Sequence, residues 1–179
     1  MKKQRIFAGC LLFLLLSACS GGPSLDFSLL KDKRATVFVF LAPDCPLSQN
    51  YTLTLNNLQA QFDEASVGFY GVIAGVHYSK EEVDEFVRTY KIIFPVLLDR
   101  DMGLADFFGA KATPEAFAVN PRGDILYRGA IDNWAVDLGQ HRSVITGHYL
   151  MDALNSFIRS GDVQTKETRA VGCIIERNL

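Results

Sequence analysis

The sequence predicts one α/β domain with a central mixed sheet and helices on both faces. Two patterns carry this reading. Short apolar runs rich in β-branched and aromatic residues alternate with segments whose apolar residues recur every three or four positions. The last two of these runs are then joined by a tight Pro/Gly turn instead of a helix.

Thr36 to Leu41 is a continuous β-branched and aromatic run, as expected of a strand buried on both faces. It breaks at Ala42-Pro43-Asp44. From Pro46 to about Phe62, Leu47, Tyr51, Leu55, Leu58 and Phe62 line one helical face, with Pro46 in the first turn, so Cys45 falls at a helix N-terminus. Val67 to Ala74 reads as a second central strand. Ser79-Lys80-Glu81-Glu82 reads as a capped helix start, with Val83, Phe86, Val87 and Tyr90 as its inner stripe. Phe94 to Leu98 is a short strand, and Leu104 to Phe108 a short helix closed by Gly109. Strands at Glu115–Val119 and Ile125–Arg128 flank the turn Asn120 to Asp124, and after a long loop the last helix covers about Gly147 to Arg159.

A chain of 179 residues, 49% hydrophobic and 21% charged, holds one core. With a net charge of -2 and no basic cluster beyond the first few residues, it is not expected to bind nucleic acid. Lys2, Lys3 and Arg5 precede an apolar stretch, Ile6 to Leu16, that is too short for a typical membrane span and has the layout of a secretory signal. Leu16-Ser17-Ala18-Cys19 resembles the bacterial lipobox, which implies cleavage before Cys19 and a lipid on its sulfur. Ser20 after the cysteine resembles the outer-membrane sorting pattern. The expected organisation is a signal over 1–18, a lipidated tether over 19–30, a domain over 31–162 and a tail over 163–179 carrying Cys173. The expected location is the bacterial cell envelope, lipid-anchored and facing the periplasm, with the outer membrane favoured over the inner. Cys45 and Cys173 then remain as the mature thiols, free to pair, to share a metal or to react separately.

A helix N-terminus favours a thiolate because unpaired backbone N–H groups and the helix dipole stabilise negative charge. Cys45 is therefore the candidate nucleophile, against the alternative of a buried cysteine acting as a small hydrophobe.

Phe40-Leu41-Ala42-Pro43-Asp44-Cys45-Pro46-Leu47-Ser48 resembles the F-W-A-x-W-C-P-x-C segment of membrane-tethered thioredoxin-like proteins, with Ser48 in place of their second cysteine. Ala112-Thr113-Pro114-Glu115 resembles the family's Thr–cis-Pro landmark, and the element order agrees from about Thr36 to Ile158. The resemblance implies a thioredoxin-like fold, a cis bond at Pro114, and substrate contacts at Thr113, Pro114, Pro46 and Ser48. Gly172-Cys173-Ile174-Ile175 resembles the G-C-x-I tail of redoxin-domain proteins of the alkyl hydroperoxide reductase and thiol-specific antioxidant group. That implies a tail folded back on the active site, with Cys173 resolving Cys45 or sharing a metal with it. A structural or unpaired tail thiol is the alternative.

The leading expectation is a thiol–disulfide oxidoreductase with catalytic Cys45 and Cys173, acting on a protein disulfide with an unidentified thiol as electron donor. A thiol peroxidase comes second, because Ala42 stands where typical peroxiredoxins carry Thr and Phe38 where they carry an upstream Pro. Third is a copper-binding chaperone. No cofactor is expected under the leading reading; the copper alternative uses Cys45, Cys173 and His148. Fourth is a non-catalytic module that retains the fold. His77, His141, Asp44 and Trp134 are further candidates near the site, and Tyr127 to Asp132 resembles a redoxin Y-R-G-x-x-D stretch with no assignable role beyond a sheet edge.

Overall fold

The computed structural model describes residues 25–177. The expected signal, Cys10 and the proposed lipid site Cys19 lie outside the described residues. Five strands form the main sheet: β1 (Ala35–Phe40), β2 (Val67–Ala74), β3 (Val96–Asp99), β5 (Glu115–Val119) and β6 (Ile125–Gly129). They lie in the order β3-β2-β1-β5-β6. β1 is parallel to β2, and β2 to β3, while β5 is antiparallel to both β1 and β6. The sheet is therefore mixed, with β1 at its centre.

Every β1 residue is buried, because both faces of the sheet are covered. Val37 and Val39 join one core with Tyr51, Leu55, Leu58 and Phe62 of helix α1 (Pro46–Phe62), Val83 and Phe86 of α2 (Lys80–Thr89), and Leu150 and Leu154 of α4 (Tyr149–Ser160). Phe38 and Phe40 face the other core, with Met102 and with Ala105 and Phe108 of α3 (Gly103–Phe108). The alternation along a single strand thus supplies both layers.

The helix boundaries follow local chemistry. Ser79 and Glu82 form the reciprocal capping box, and Gly109 closes α3 at a φ of 65°. β3 starts at Val96, two residues later than the apolar run suggests, since Pro95 has no N–H to donate to a ladder. α4 starts at Tyr149 rather than Gly147, whose carbonyl is already taken by the Asn133 N–H at 3.0 Å. The loop before α4 contains an unexpected hairpin, β7 (Ala135–Asp137) and β8 (Gln140–His141).

The end of the expected tether needs correction. Leu25 and Leu30 are buried in the second core, and residues 27–30 form a 3-10 turn capped by Asp26, so the packed domain begins before residue 31. Two apolar side chains anchor this segment, each worth about 1.5–3 kcal/mol of burial.

After α4 the chain doubles back. Lys166 and Thr168 hydrogen-bond to Arg128 of β6, and strand β9 (Cys173–Ile174) then pairs antiparallel with β4 (Ala112–Thr113). The tail thereby covers a sheet edge that would otherwise expose unpaired backbone groups.

Candidate active site

The end of β1 and the start of α1 position Cys45. Its backbone N–H donates to the Ala42 carbonyl at 3.1 Å, and its carbonyl accepts the Gln49 N–H at 3.0 Å, which makes Cys45 the N-cap of α1. Gln49 Nε2 donates to the Pro43 carbonyl at 2.7 Å and stiffens the loop. Ser48 is wholly buried, and its Oγ accepts the Ala42 N–H at 3.1 Å. The expected substrate contact at Ser48 is therefore corrected: the hydroxyl holds the loop and does not face a ligand. Pro46 occupies the first turn and is exposed.

Across from Cys45 stands the Thr113–Pro114 peptide, which is cis. Cys45 Sγ donates to the Thr113 carbonyl at 3.1 Å. The Thr113 Oγ1 is buried without a hydrogen-bond partner, beside the same sulfur. Once Cys45 ionises it can no longer donate to the carbonyl, and this hydroxyl becomes a donor to the thiolate.

The third component is the tail. In the β4–β9 ladder Thr113, whose carbonyl accepts from Cys45 Sγ, is opposite Cys173, which brings the two thiols close enough to shift each other's ionisation; both are free in this structure. Burial opposes ionisation of Cys45. The hydrogen bonds that the Cys173 thiol, the Ser48 and Cys173 backbone N–H groups and the Thr113 hydroxyl offer to the thiolate outweigh it, and the thiol lies below its ordinary value. Cys173 moves the other way. Burial, its hydrogen bond to Cys45 and the charges of Cys45 and Asp44 push it up to about 12. The first proton of the pair therefore leaves Cys45.

Docking of the tail depends on residues whose role the sequence did not reveal. A Cβ on Gly172 would sit 2.2 Å from the Thr113 carbonyl oxygen, and one on Gly129 would sit 2.0 Å from that of Thr168. Only glycine admits these approaches. Thr168 Oγ1 accepts the Ala130 N–H at 3.0 Å and pairs with the Tyr127 hydroxyl, while Arg128 bonds Glu167 at 2.8 Å. The Tyr127-Arg128-Gly129 stretch is thus a clasp for the tail. The glycine preceding Cys173 was the one visible signal for it.

The remaining candidates disperse. Asp44 accepts the Tyr78 hydroxyl and caps no helix, and together with burial it raises the Tyr78 pKa. His77 Nε2 lies 3.7 Å from Glu176 on the rim of the site. His141 stacks near Trp134, at a ring separation of 5.0 Å, and Trp134 packs edge-on against Tyr51. Tyr51 in turn donates to buried Asp132 at 2.6 Å. His148 is an exposed residue at the α4 N-terminus. The donor set Cys45, Cys173 and His148 is not assembled: among the described residues no three His, Cys, Asp or Glu side chains form a group suited to a metal.

The sequence profile of the AhpC/TSA family matches residues 16–128, more than half of the chain. The chain belongs to the AhpC/TSA family. Cys45 and the Thr113–Pro114 peptide fall inside that span, and Cys173 lies beyond it. The thiol-disulfide oxidoreductase ResA of Bacillus subtilis is 34% identical over 61 residues, which is 34% of this chain and 34% of ResA. The match thus spans about a third of this curated relative.

Among solved structures, a hypothetical protein of Sinorhizobium meliloti 1021 aligns with a TM-score of 0.72 at 23% identity, covering 83% of this chain and 82% of that one. An uncharacterized conserved protein of Geobacillus kaustophilus gives 0.71 at 22%, covering 83% and 80%. A putative thioredoxin from Neisseria meningitidis gives 0.50 at 22%, covering 56% and 66%. These likenesses concern the fold, which is thioredoxin-like.

Proposed function

We propose that this protein of the AhpC/TSA family is an extracytoplasmic thiol–disulfide oxidoreductase that cycles between a Cys45, Cys173 dithiol and the corresponding disulfide. The observation that carries this reading is the β4–β9 ladder, which sets Cys173 opposite Thr113, the residue whose carbonyl accepts from Cys45 Sγ at 3.1 Å. Oxidation joins the two sulfurs and removes two protons and two electrons, which pass to a substrate disulfide. Reduction by a thiol donor reverses it. The stabilised Cys45 thiolate is the nucleophile in one direction and the leaving group in the other. Identity with part of ResA supports the same chemistry.

The test is peptide mapping of the full chain after treatment with a small disulfide. A Cys45–Cys173 bond that forms stoichiometrically and opens with excess thiol is expected. Modification of Cys45 while Cys173 stays free throughout sinks the reading. Family membership favours one competitor, a thiol peroxidase, which predicts that hydrogen peroxide oxidises Cys45 faster than a disulfide does. Ala42 at the position where a peroxide-orienting Thr is expected, and fully buried Phe38, weigh against it.

The lipobox-like segment supports attachment through Cys19 to an envelope membrane facing the periplasm, with Ser20 favouring the outer one. Incorporation of a fatty-acid label that survives in Cys19→Ala would refute the anchor.

A further inference from the structure

The two sulfurs are not equally placed. Cys45 is 1% exposed, sealed beneath the tail and the Thr113 carbonyl. Cys173 is only partly buried and lines an open cleft of about 800 Å³, to which Cys45 contributes no surface. The backbone edge of Thr113, where an extended partner strand would add to the sheet, is already taken by Cys173 itself. In the docked state the tail therefore lies between Cys45 and anything arriving from solvent.

We propose that the external thiol attacks Cys173 and not Cys45, that the intermolecular disulfide forms on the tail, and that the cleft favours neutral or cationic thiols over anionic ones. This rests on the Cys45–Cys173 disulfide proposed above. In the first step a donor thiolate attacks Cys173 Sγ. The Cys45–Cys173 bond breaks, a donor–Cys173 bond forms, and Cys45 leaves with the electron pair as a thiolate. In the second step another donor thiolate attacks the first donor's sulfur. This releases Cys173, which takes up a proton, and yields the donor disulfide. Two donor thiols are oxidised and one protein disulfide is reduced.

Access and leaving-group chemistry agree on this polarity. The sulfur that is reached is the one on the cleft, and the sulfur that leaves is the one whose thiolate Ser48 N–H, Cys173 N–H and Thr113 stabilise. The charge preference follows from the walls. Among the described residues, Asp44, Glu82 and Glu176 line the cleft, opposed only by His77, and no Lys or Arg lines it. Exposed Leu138 and Ile174, 61% and 83% accessible, add an apolar rim suited to a partner larger than a free thiol.

The experiment uses the full chain, oxidised and shown by peptide mapping to contain the Cys45–Cys173 bond. If that bond is missing, the parent reading fails, and that failure is seen before any thiol is added. The oxidised chain is mixed with cysteamine or with 2-mercaptoethanesulfonate at matched thiolate concentration, acid-quenched at early times and mapped. The expected result is an adduct on Cys173 with Cys45 free. Reduction should be about five- to tenfold faster with cysteamine at low salt, and the ratio should fall towards one at high salt. An adduct on Cys45 with Cys173 free overturns the assignment. If the adduct is resolved too fast to capture, the rates decide: equal rates for the two thiols at low salt overturn it, and the salt-sensitive preference for the cation supports it.

Discussion

Cys45 and Cys173 are chemically the same residue, and their surroundings make them opposites. One sits where a helix end and a hydroxyl favour the anion. The other donates to that anion and lies near the Asp44 charge. The consequence is a pH-dependent stability of the dithiol form. Cys45 is depressed in the folded chain, so its contribution is absent at low pH and grows as pH rises through its folded value towards the ordinary 9.0, where the unfolded thiol also ionises. Cys173 is raised to about 12, so its contribution is present below 9.0 and is lost as pH climbs from 9.0 towards 12. Neither group titrates in the disulfide form. The difference in melting temperature between the dithiol and disulfide forms should therefore shift in favour of the dithiol from neutral pH up to about 9 and reverse above it. Parallel thermal scans of the two forms check this; a difference that is flat in pH would mean that the thiols are not coupled.

Among the elements, β9 is two residues long and carries the thiol that the proposed cycle pairs with Cys45. Two residues paired with β4 cannot hold themselves in place, since so short a ladder does not offset the ordering of its chain. The clasp at β6 holds the tail first, and Thr168 is its centre. Thr168→Val keeps the shape and removes the oxygen, leaving the Ala130 N–H without a partner and the Tyr127 hydroxyl with its bond to the Ala130 carbonyl alone. A local loss of about 1–3 kcal/mol is expected. Amide hydrogen exchange should accelerate over residues 166–174 while α1 and β1 stay protected, and the Cys45–Cys173 bond should form more slowly with a small disulfide. Unchanged protection across the tail would mean that Thr168 does not hold it.

The whole molecule rests on two cores divided by one strand. Phe38, Phe40, Phe108 and Phe117 make an aromatic cluster with ring separations of 4.9 to 6.1 Å, all nearly inaccessible to solvent. Phe117→Ala empties the middle of that cluster and should cost about 3–5 kcal/mol in denaturant unfolding. Phe117 is directly opposite Phe38 on β1, so the loss belongs to the sheet as well as to the layer beneath it. A loss below about 1 kcal/mol would show that the second core collapses around the cavity without penalty.

The elements were largely legible in the residues, because their signals are local. The six-residue apolar run of β1, the three- and four-residue spacing along α1, the Ser79–Glu82 box and Gly109 all act within one or two turns of chain. Cys45 at a helix start was readable for the same reason. Where segments distant in sequence meet, the pattern was silent on which atoms pair. The Gly172-Cys173 resemblance implied a tail folded back on the site but not that Cys173 pairs with Thr113, nothing near Tyr127 or Gly129 states that they receive Thr168, and the apolar Leu25 and Leu30 resembled a tether until a second core enclosed them. Metal donation by His148 and ligand contact by Ser48 failed on the same ground: a residue type supplies the chemical capacity, and the packing of distant segments decides which atoms meet and which face water.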